Sequence, residues 1–436
     1  MARVVFTTWG SLGDLHPYLA IGRELKARGS DVAVATLPAW RANVEEAGLE
    51  FRPLRPDVSP DDPANREVVR RVLDAREGPA YLFLTIFAPA LRDTYDDTVA
   101  ALRDADLVVS HQVPVTTPIV AQQTGIRWVS GVVMPMGFLS AYDPSTPPQA
   151  PWLRSIAALH PLLGGAMNRI GRVVAKPWVE PVYRLREELG MPRGGNPVFE
   201  GQHSPTLTLA LFSRLLAQKQ PDHPPQTQFT GFPFYDAHPE RQPDPRLLAF
   251  LDGGEPPIVF TLGSSAVWIA GDFYRVSVEA VRRTGRRALL LVGEDVEAHR
   301  AGLPETMAAF DYAPHSLVMP RAAVVVHQGG IGTTGQALRS GRPMLVVPFG
   351  QDQPDNARRC VELGVARTMA RGHYTVDRLT RELSALLGDA RFAERARQVG
   401  DAVRAERGAE SAADAIETVL RRSPGRSAGG REDPPA

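Results

Sequence analysis

The sequence predicts an α/β protein built from two doubly wound, parallel-sheet domains in tandem, and three observations predict it. Short apolar, β-branched runs alternate with helical stretches from Val4 to Leu211, the rhythm of strands buried on both faces between helices. The same alternation restarts at Ile258 and continues to Val347. Between them the chain turns proline-rich, from Gly231 to Pro257, with prolines after Phe232, His238, Gln242, Asp244 and Glu255, which is the composition of a linker. The expected units are a first domain at 1–235, a linker at 236–257, a second domain at 258–422 and a disordered tail at 423–436. The tail is set apart by its Gly, Ser, Pro and charged residues.

Each element has its own reason. Val4 to Thr8 is an apolar strand, and a helix is expected to begin near Pro17, where proline suits a first turn, and to end at Gly29. Val32 to Thr36 is the next strand, followed by a helix near Ala39 to Ala47 closed by Gly48. Tyr81 to Leu91 is apolar but too short to cross a bilayer, and reads as a buried or ligand-lining helix. Further strands are expected at Leu107 to Ser110, Trp128 to Val133 and Leu207 to Leu211. From Gly137 to Gly201 the alternation is interrupted by a Pro-, Trp- and Gly-rich insert with a helix at Val179 to Leu189, read as a wall of an acceptor site. In the second half, strands are expected at Ile258 to Leu262, Ala288 to Val292, Ala322 to Val326 and Met344 to Val347, with helices from Asp377 to Leu420.

Composition narrows the function classes. The 436 residues carry 49 basic and 49 acidic side chains, so charge implies neither nucleic acid nor an acidic membrane surface as partner. A lone cysteine, Cys360, fits a packing role in a reducing cytoplasm rather than a disulfide framework. The N-terminus enters a strand at once and no apolar run is long enough to span a bilayer, so a cytoplasmic protein without stable membrane insertion is expected. No His/Cys cluster has zinc spacing and no Asp-x-Asp is present, so metal independence is expected. The sequence leaves the oligomeric state open.

The chemistry concentrates between Val324 and Asn356. A buried strand runs into Gly329-Gly330-Ile331-Gly332-Thr333, a glycine turn that opens a helix. Backbone N–H groups at such a turn approach an anion closely, and the helix dipole favours negative charge there. One strand later come Asp352, Gln353 and Asn356, a carboxylate and amides suited to hydroxyl groups. A phosphate cradle beside a hydroxyl-binding pair fits a nucleotide sugar.

This stretch resembles the donor-binding signature of the family 1 glycosyltransferases, the UDP-glycosyltransferase superfamily with the GT-B fold. Within it the chain is most similar to bacterial enzymes that glycosylate lipids or natural products, including rhamnosyltransferases and sterol glucosyltransferase-like proteins. The resemblance implies two Rossmann-like domains facing a cleft, with the last helix crossing back to the first domain. It also implies a role for each matching residue. Tyr312 lies where the nucleobase is stacked and Ala313 where a backbone group reads its edge. Gly263-Ser264 lies where the diphosphate is touched, and Gly330, Gly332 and Thr333 form the phosphate loop. Gln328 occupies the place of a phosphate-binding histidine, with His327 one residue earlier as a packing residue. Gln336 replaces the acid at the ribose position, and Asp352 and Gln353 hold the sugar.

Glycosyl transfer needs a base to take the acceptor's proton. The family's histidine, three residues before the loop proline, corresponds to Asp14 before Pro17. His16, one residue before that proline, is the second candidate, and helix capping by Asp14 is the structural alternative. The stretch that carries a partner carboxylate in plant-type members reads Ser110-His111-Gln112 here, and His111 is a possible contact for Asp14. The reading is an inverting, metal-independent transferase. It moves a hexose or deoxyhexose from a UDP- or dTDP-sugar co-substrate, with no other cofactor, to a hydroxyl of an apolar small molecule such as a lipid or polyketide aglycone. The alternatives are an NDP-sugar 2-epimerase of the same fold and a non-catalytic sugar-nucleotide-binding auxiliary.

Overall fold

A computed structural model describes residues 1–59, 62–236 and 244–422. The expected tail at 423–436 and residues 237–243 of the expected linker lie outside the described residues. Seven parallel strands form the first sheet: β1 (Arg3–Thr7), β2 (Asp31–Thr36), β3 (Glu50–Pro53), β4 (Leu107–Ser110), β5 (Arg127–Val132), β6 (Thr208–Ala210) and β7 (Thr227–Phe229), in the order β3-β2-β1-β4-β5-β6-β7. Six form the second: β8 (Ile258–Thr261), β9 (Ala288–Leu291), β10 (Met307–Phe310), β11 (Val324–His327), β12 (Met344–Val346) and β13 (Ala366–Thr368), in the order β10-β9-β8-β11-β12-β13. The central strands are apolar on both faces because helices cover both sides. Val5 sits opposite Ala33 on one side and Val108 on the other, and Val325 opposite Val259 and Met344.

This topology fixes where the chemistry goes. In the first sheet the strand order reverses between β1 and β4, and in the second between β8 and β11. Ligands of open α/β sheets bind beyond the carboxyl ends of strands at such a switch point. The four segments leaving these strands carry Asp14, His111, Ser264 and Gln328.

The chain then returns to its start. The last helix, Gly408–Arg421, packs on the first, Leu12–Ala27. There Arg28 Nη1 donates to Asp414 Oδ1 at 2.5 Å, and Arg127 Nη1 to the Leu420 carbonyl at 2.7 Å.

Several elements differ from expectation for identifiable reasons. The first helix begins at Leu12, not near Pro17, because Ser11 supplies the N-cap. Pro17 then lies in the second turn, where the ring removes one helical hydrogen bond without ending the helix. Asp14 and His16, expected in a loop before Pro17, therefore lie in the first turns of a helix. The insert holds one 28-residue helix, Pro161–Glu188, which continues through Pro177 and Pro181; the expected helix at Val179 to Leu189 is its C-terminal third. Within Tyr81 to Leu91, residues Leu82–Phe87 form a π-helical turn. Pro245–Asp252 is helical within the proline-rich stretch. No helix among the described residues is long and apolar enough to cross a membrane.

Candidate active site

The two domains meet where their helix N-termini face one another. A Cβ built on Gly332 would lie 3.2 Å from the Gly13 Cα, so backbone approaches backbone across the cleft and a side chain at 332 would push the two helix ends apart. On either side of this contact lies a cavity, of about 310 and about 260 Å³, and both are lined by Gly13, Ser264, Gly332 and Thr333.

The first cavity carries Tyr312, Ala313, Gln336 and His16. Tyr312 is 58% exposed at the rim while Ala313 is buried. Ala313 precedes Pro314 and the short helix His315–Val318, whose His315 Nε2 lies 3.4 Å from Thr261 Oγ1. Gln336 donates through Nε2 to Asp236 Oδ1 at 3.3 Å, and its Oε1 is buried with no hydrogen-bond partner. Arg339 holds the same Asp236 carboxylate at 2.8 and 3.0 Å. The segment Phe232 to Asp236 and Trp268 complete the wall. None of these belongs to the donor signature. They come from the return of the chain between domains and from the segment after β8, and no local pattern marked them.

The second cavity gathers Asp14, Gln328, Gly330, Thr333, Asp352 and Gln353, with His111, Trp9, Leu82, Met134 and Met136. Asp14 is the third residue of its helix. Its Oδ2 accepts from the Ser11 N–H at 2.8 Å and the Ser11 hydroxyl at 3.1 Å, so capping occupies one oxygen. Its Oδ1 lies 3.7 Å from His111 Nε2. Gly10 must be glycine here, because a Cβ would collide with the Asp14 carboxylate and its φ is +137°. His16 is separated from Asp14 by two residues, about 200° around the helix. It lines the first cavity, with its ring centroid 5.2 Å from that of Tyr235. Burial, with His315 adding to it, lowers His16 to about 4. The structure therefore brings Asp14, and not His16, to the sugar-side residues.

The expected phosphate loop buries polar side chains at the start of the helix Ile331–Ser340. Gln328 Nε2 lies 3.4 Å from Thr333 Oγ1, and Gln328 Oε1 and Thr334 Oγ1 are buried without partners. His327 turns the other way, accepting from the Gly329 N–H through Nδ1 at 3.1 Å and lying 3.4 Å from the Met344 sulfur. Burial holds it near 3, so it is a neutral packing residue. Gly263, at φ +65°, brings the Gly263-Ser264 backbone against Gln328 and Thr333, where a Cβ would strike the Gln328 amide.

Asp352 is strongly perturbed. Burial, reinforced by Asp14 across the cleft, lifts its carboxyl to about 7. Asn356 Nδ2 donates to Asp352 Oδ2 at 2.6 Å and to the Gly329 carbonyl at 2.9 Å, tying the sugar-side loop to the phosphate loop. Gln353 Oε1 is occupied, accepting from the Phe349 and Gly350 N–H groups at 2.7 and 3.3 Å, which leaves its amide nitrogen for a ligand.

The closed arrangement is held by charges from both domains. Arg359, buried, donates to Asp355 Oδ2 and to Asp143 Oδ2, both at 2.7 Å, and to the Leu216 carbonyl at 3.0 Å. Asp355 Oδ1 accepts from the Thr146 N–H at 3.0 Å. On the opposite side Arg66 donates to Glu294, and Gln351 to the Val72 carbonyl.

Known proteins match the chain throughout. The family model described as "Erythromycin biosynthesis protein CIII-like, C-terminal domain" matches residues 282–418, and the glycosyltransferase family 28 N-terminal domain matches residues 4–83. O-mycaminosyltylonolide 6-deoxyallosyltransferase of Streptomyces fradiae is 34% identical over 430 residues, covering 95% of this chain and 97% of that protein. Vancomycin aglycone glucosyltransferase of Amycolatopsis orientalis is 28% identical, covering 97% and 99%. Among solved structures, the glycotransferase of kitacinnamycin is 27% identical with a TM-score of 0.67, covering 96% of this chain and 99% of that one. A spinosyn rhamnosyltransferase complexed with thymidine diphosphate shares the fold at a TM-score of 0.66 and 19% identity, covering 96% and 100%.

Proposed function

The chain belongs to the family 1 glycosyltransferases of natural-product biosynthesis, and we propose that it transfers a hexose or deoxyhexose from a dTDP- or UDP-sugar to an aglycone hydroxyl, with inversion and without a metal. The observation that carries this reading is the pair Asp14 and Asp352, from different domains, in one cavity beside the phosphate loop. Asp14, through Oδ1, takes the acceptor's proton. The acceptor oxygen attacks the anomeric carbon on the face opposite the phosphate, and the nucleoside diphosphate leaves with the bonding electrons. Its developing charge meets the N–H groups at the start of the helix Ile331–Ser340, the Ser264 and Thr333 hydroxyls and the Gln328 amide. Asp352 and the Gln353 amide hold sugar hydroxyls, and Tyr312 stacks on the base.

The neutral Gln336 presents one free acceptor oxygen, which suits the single ring hydroxyl of a deoxyribose and favours dTDP over UDP. The wall of Trp9, Leu82, Met134 and Met136 supports an apolar acceptor of the macrolide kind, in keeping with the tylonolide name of one relative. The boundaries 1–235, 236–257 and 258–422 and a cytoplasmic setting complete the proposal.

The test is transfer from dTDP-glucose, dTDP-rhamnose and UDP-glucose to a macrolide panel, with the product's anomeric configuration read by NMR. Inverted product is expected, lost in Asp14→Ala while donor binding persists, and unaffected by EDTA. Retained configuration, or full turnover in Asp14→Ala, would overturn the assignment of the base.

A further inference from the structure

Asp14 has one uncommitted oxygen, and that oxygen faces a buried histidine. His111 follows β4 directly; both of its ring nitrogens are buried and neither is in normal hydrogen-bond geometry, the Trp9 backbone and Asp14 being the polar groups beside the ring. Buried polar groups are ordinarily paired in good geometry, so an imidazole held this loosely beside a carboxylate needs a reason. His111 also lines two cavities. One is the catalytic cavity. The other lies behind it, about 50 Å³, walled by Gln112, Gln122, Gln202 and Arg186. The outer end of this rear cavity is formed by Gly194 and Gly195, which are exposed. A space of that size and polarity holds a short file of water.

We infer that His111 passes the proton taken up by Asp14 out of the catalytic cavity to water in the rear cavity, so that the base is reset while donor and acceptor fill the cleft. The inference rests on Asp14 as base. The need is physical: substrates that occupy the front cavity exclude water from Asp14, and a carboxylate that keeps its proton cannot serve the next turnover. Closing the 3.7 Å separation to hydrogen-bond length takes a side-chain shift of about 0.7 Å, and catalytic hydrogen bonds commonly tighten when substrate binds.

The step balances. The acceptor oxygen bonds to the anomeric carbon as that carbon's bond to the phosphate oxygen breaks, its electron pair leaving with the diphosphate. The acceptor proton goes to Asp14 Oδ1 and then to Nε2 of neutral His111. A ring N–H proton passes to rear-cavity water, which restores the neutral imidazole. The groups facing His111 are Asp14, the Trp9 backbone, Tyr18, whose ring centroid is 6.0 Å away, and Arg186 across the rear cavity. Burial lowers the imidazole below its ordinary range, with Asp14 opposing, which keeps Nε2 free to accept.

The test compares steady-state turnover with O-mycaminosyltylonolide, an alcohol, as acceptor against turnover with 4-nitrophenol, already ionised at pH 8. His111→Gln should slow the alcohol reaction by about 100-fold, leave donor KM unchanged and slow the phenolate reaction by no more than about threefold, since no proton needs to leave. Equal losses on both acceptors, or no loss on the alcohol, would overturn the relay. A wild-type proton inventory guards against a misfolded variant: a curved plot for the alcohol is expected, and a linear one refutes transfer through more than one site. Absence of any wild-type transfer would instead sink the transferase reading, and full activity of Asp14→Ala the base assignment.

Discussion

Replacing Asp352 with asparagine removes a charge that the closed site makes costly, so the variant should be more stable than the parent while losing its donor. The carboxyl is lifted from 3.8 to about 7, chiefly by burial. At about 1.4 kcal/mol per pH unit that corresponds to about 4 kcal/mol of destabilisation when ionised. Water entry and local relaxation at the cavity wall reduce it by roughly half. The sign follows from linkage. Between pH 4 and pH 7 the native state holds a proton that the unfolded chain has released, so native stability falls as pH rises through this window and levels off above it. Asparagine keeps the hydrogen bond from Asn356 and has no proton to release. The stability gain of Asp352→Asn should therefore be small near pH 4 and grow by about 1–3 kcal/mol between pH 5 and pH 8. Urea unfolding of both proteins at the two pH values, followed by fluorescence, measures that increment, and calorimetry with dTDP-glucose should show affinity falling at least about tenfold as charge-assisted hydrogen bonds to the sugar are lost. A gain of equal size at both pH values, or a loss of stability at pH 8, would refute the argument that the site holds an unfavourable charge.

Three further perturbations probe the same arrangement. Gly332→Ala places a methyl 3.2 Å from the Gly13 Cα in a helix that otherwise accepts alanine; thermal stability should hold while calorimetric donor affinity drops about tenfold, because the helix ends can no longer close. Tyr312→Ala, at an exposed rim position, should weaken nucleotide binding by about 1–3 kcal/mol with unchanged melting temperature, as loss of a stacking face does. Asp143→Ala leaves Arg359 with one carboxylate instead of two and should lower unfolding stability by about 2 kcal/mol in urea titrations.

The sheets were legible where physics forces a readable pattern. β1, β2, β4, β5 and β6, and β8, β9, β11 and β12, are buried on both faces and stand in the sequence as apolar runs. The four strands not anticipated are β3, β7, β10 and β13, the two edges of each sheet. Glu50-Phe51-Arg52-Pro53 and Thr227-Gln228-Phe229 are short, half-covered edges that carry no such run, whereas Met307-Ala308-Ala309-Phe310 is apolar and largely buried but lacks the β-branched residues that mark a strand. In the site, Asp14, Gln328 and Asp352 converge because each closely follows a strand at a switch point or its neighbour. Asp236 and Trp268 line the nucleotide-side cavity from outside any motif, and only the folded path brings them there. Proline misled twice: Pro17 and Pro177 lie inside helices that were expected to begin near or after them, and whose other residues outweigh one missing hydrogen bond each.

The buried charge cluster at the domain junction also bears on how such proteins can be recombined. Asp355, Arg358 and Arg359 belong to the donor half, and Asp143 to the acceptor half. Arg358 also pairs with Glu362 of its own half, whereas Arg359 has only Asp355 there and takes its second carboxylate from Asp143. A hybrid that grafts a foreign first half onto this second half leaves Arg359 with one carboxylate instead of two unless the graft brings its own to the place of Asp143. Exchange of halves is thus limited less by the linker than by a single charge, and a hybrid's compatibility can be judged by looking for that one side chain before it is built.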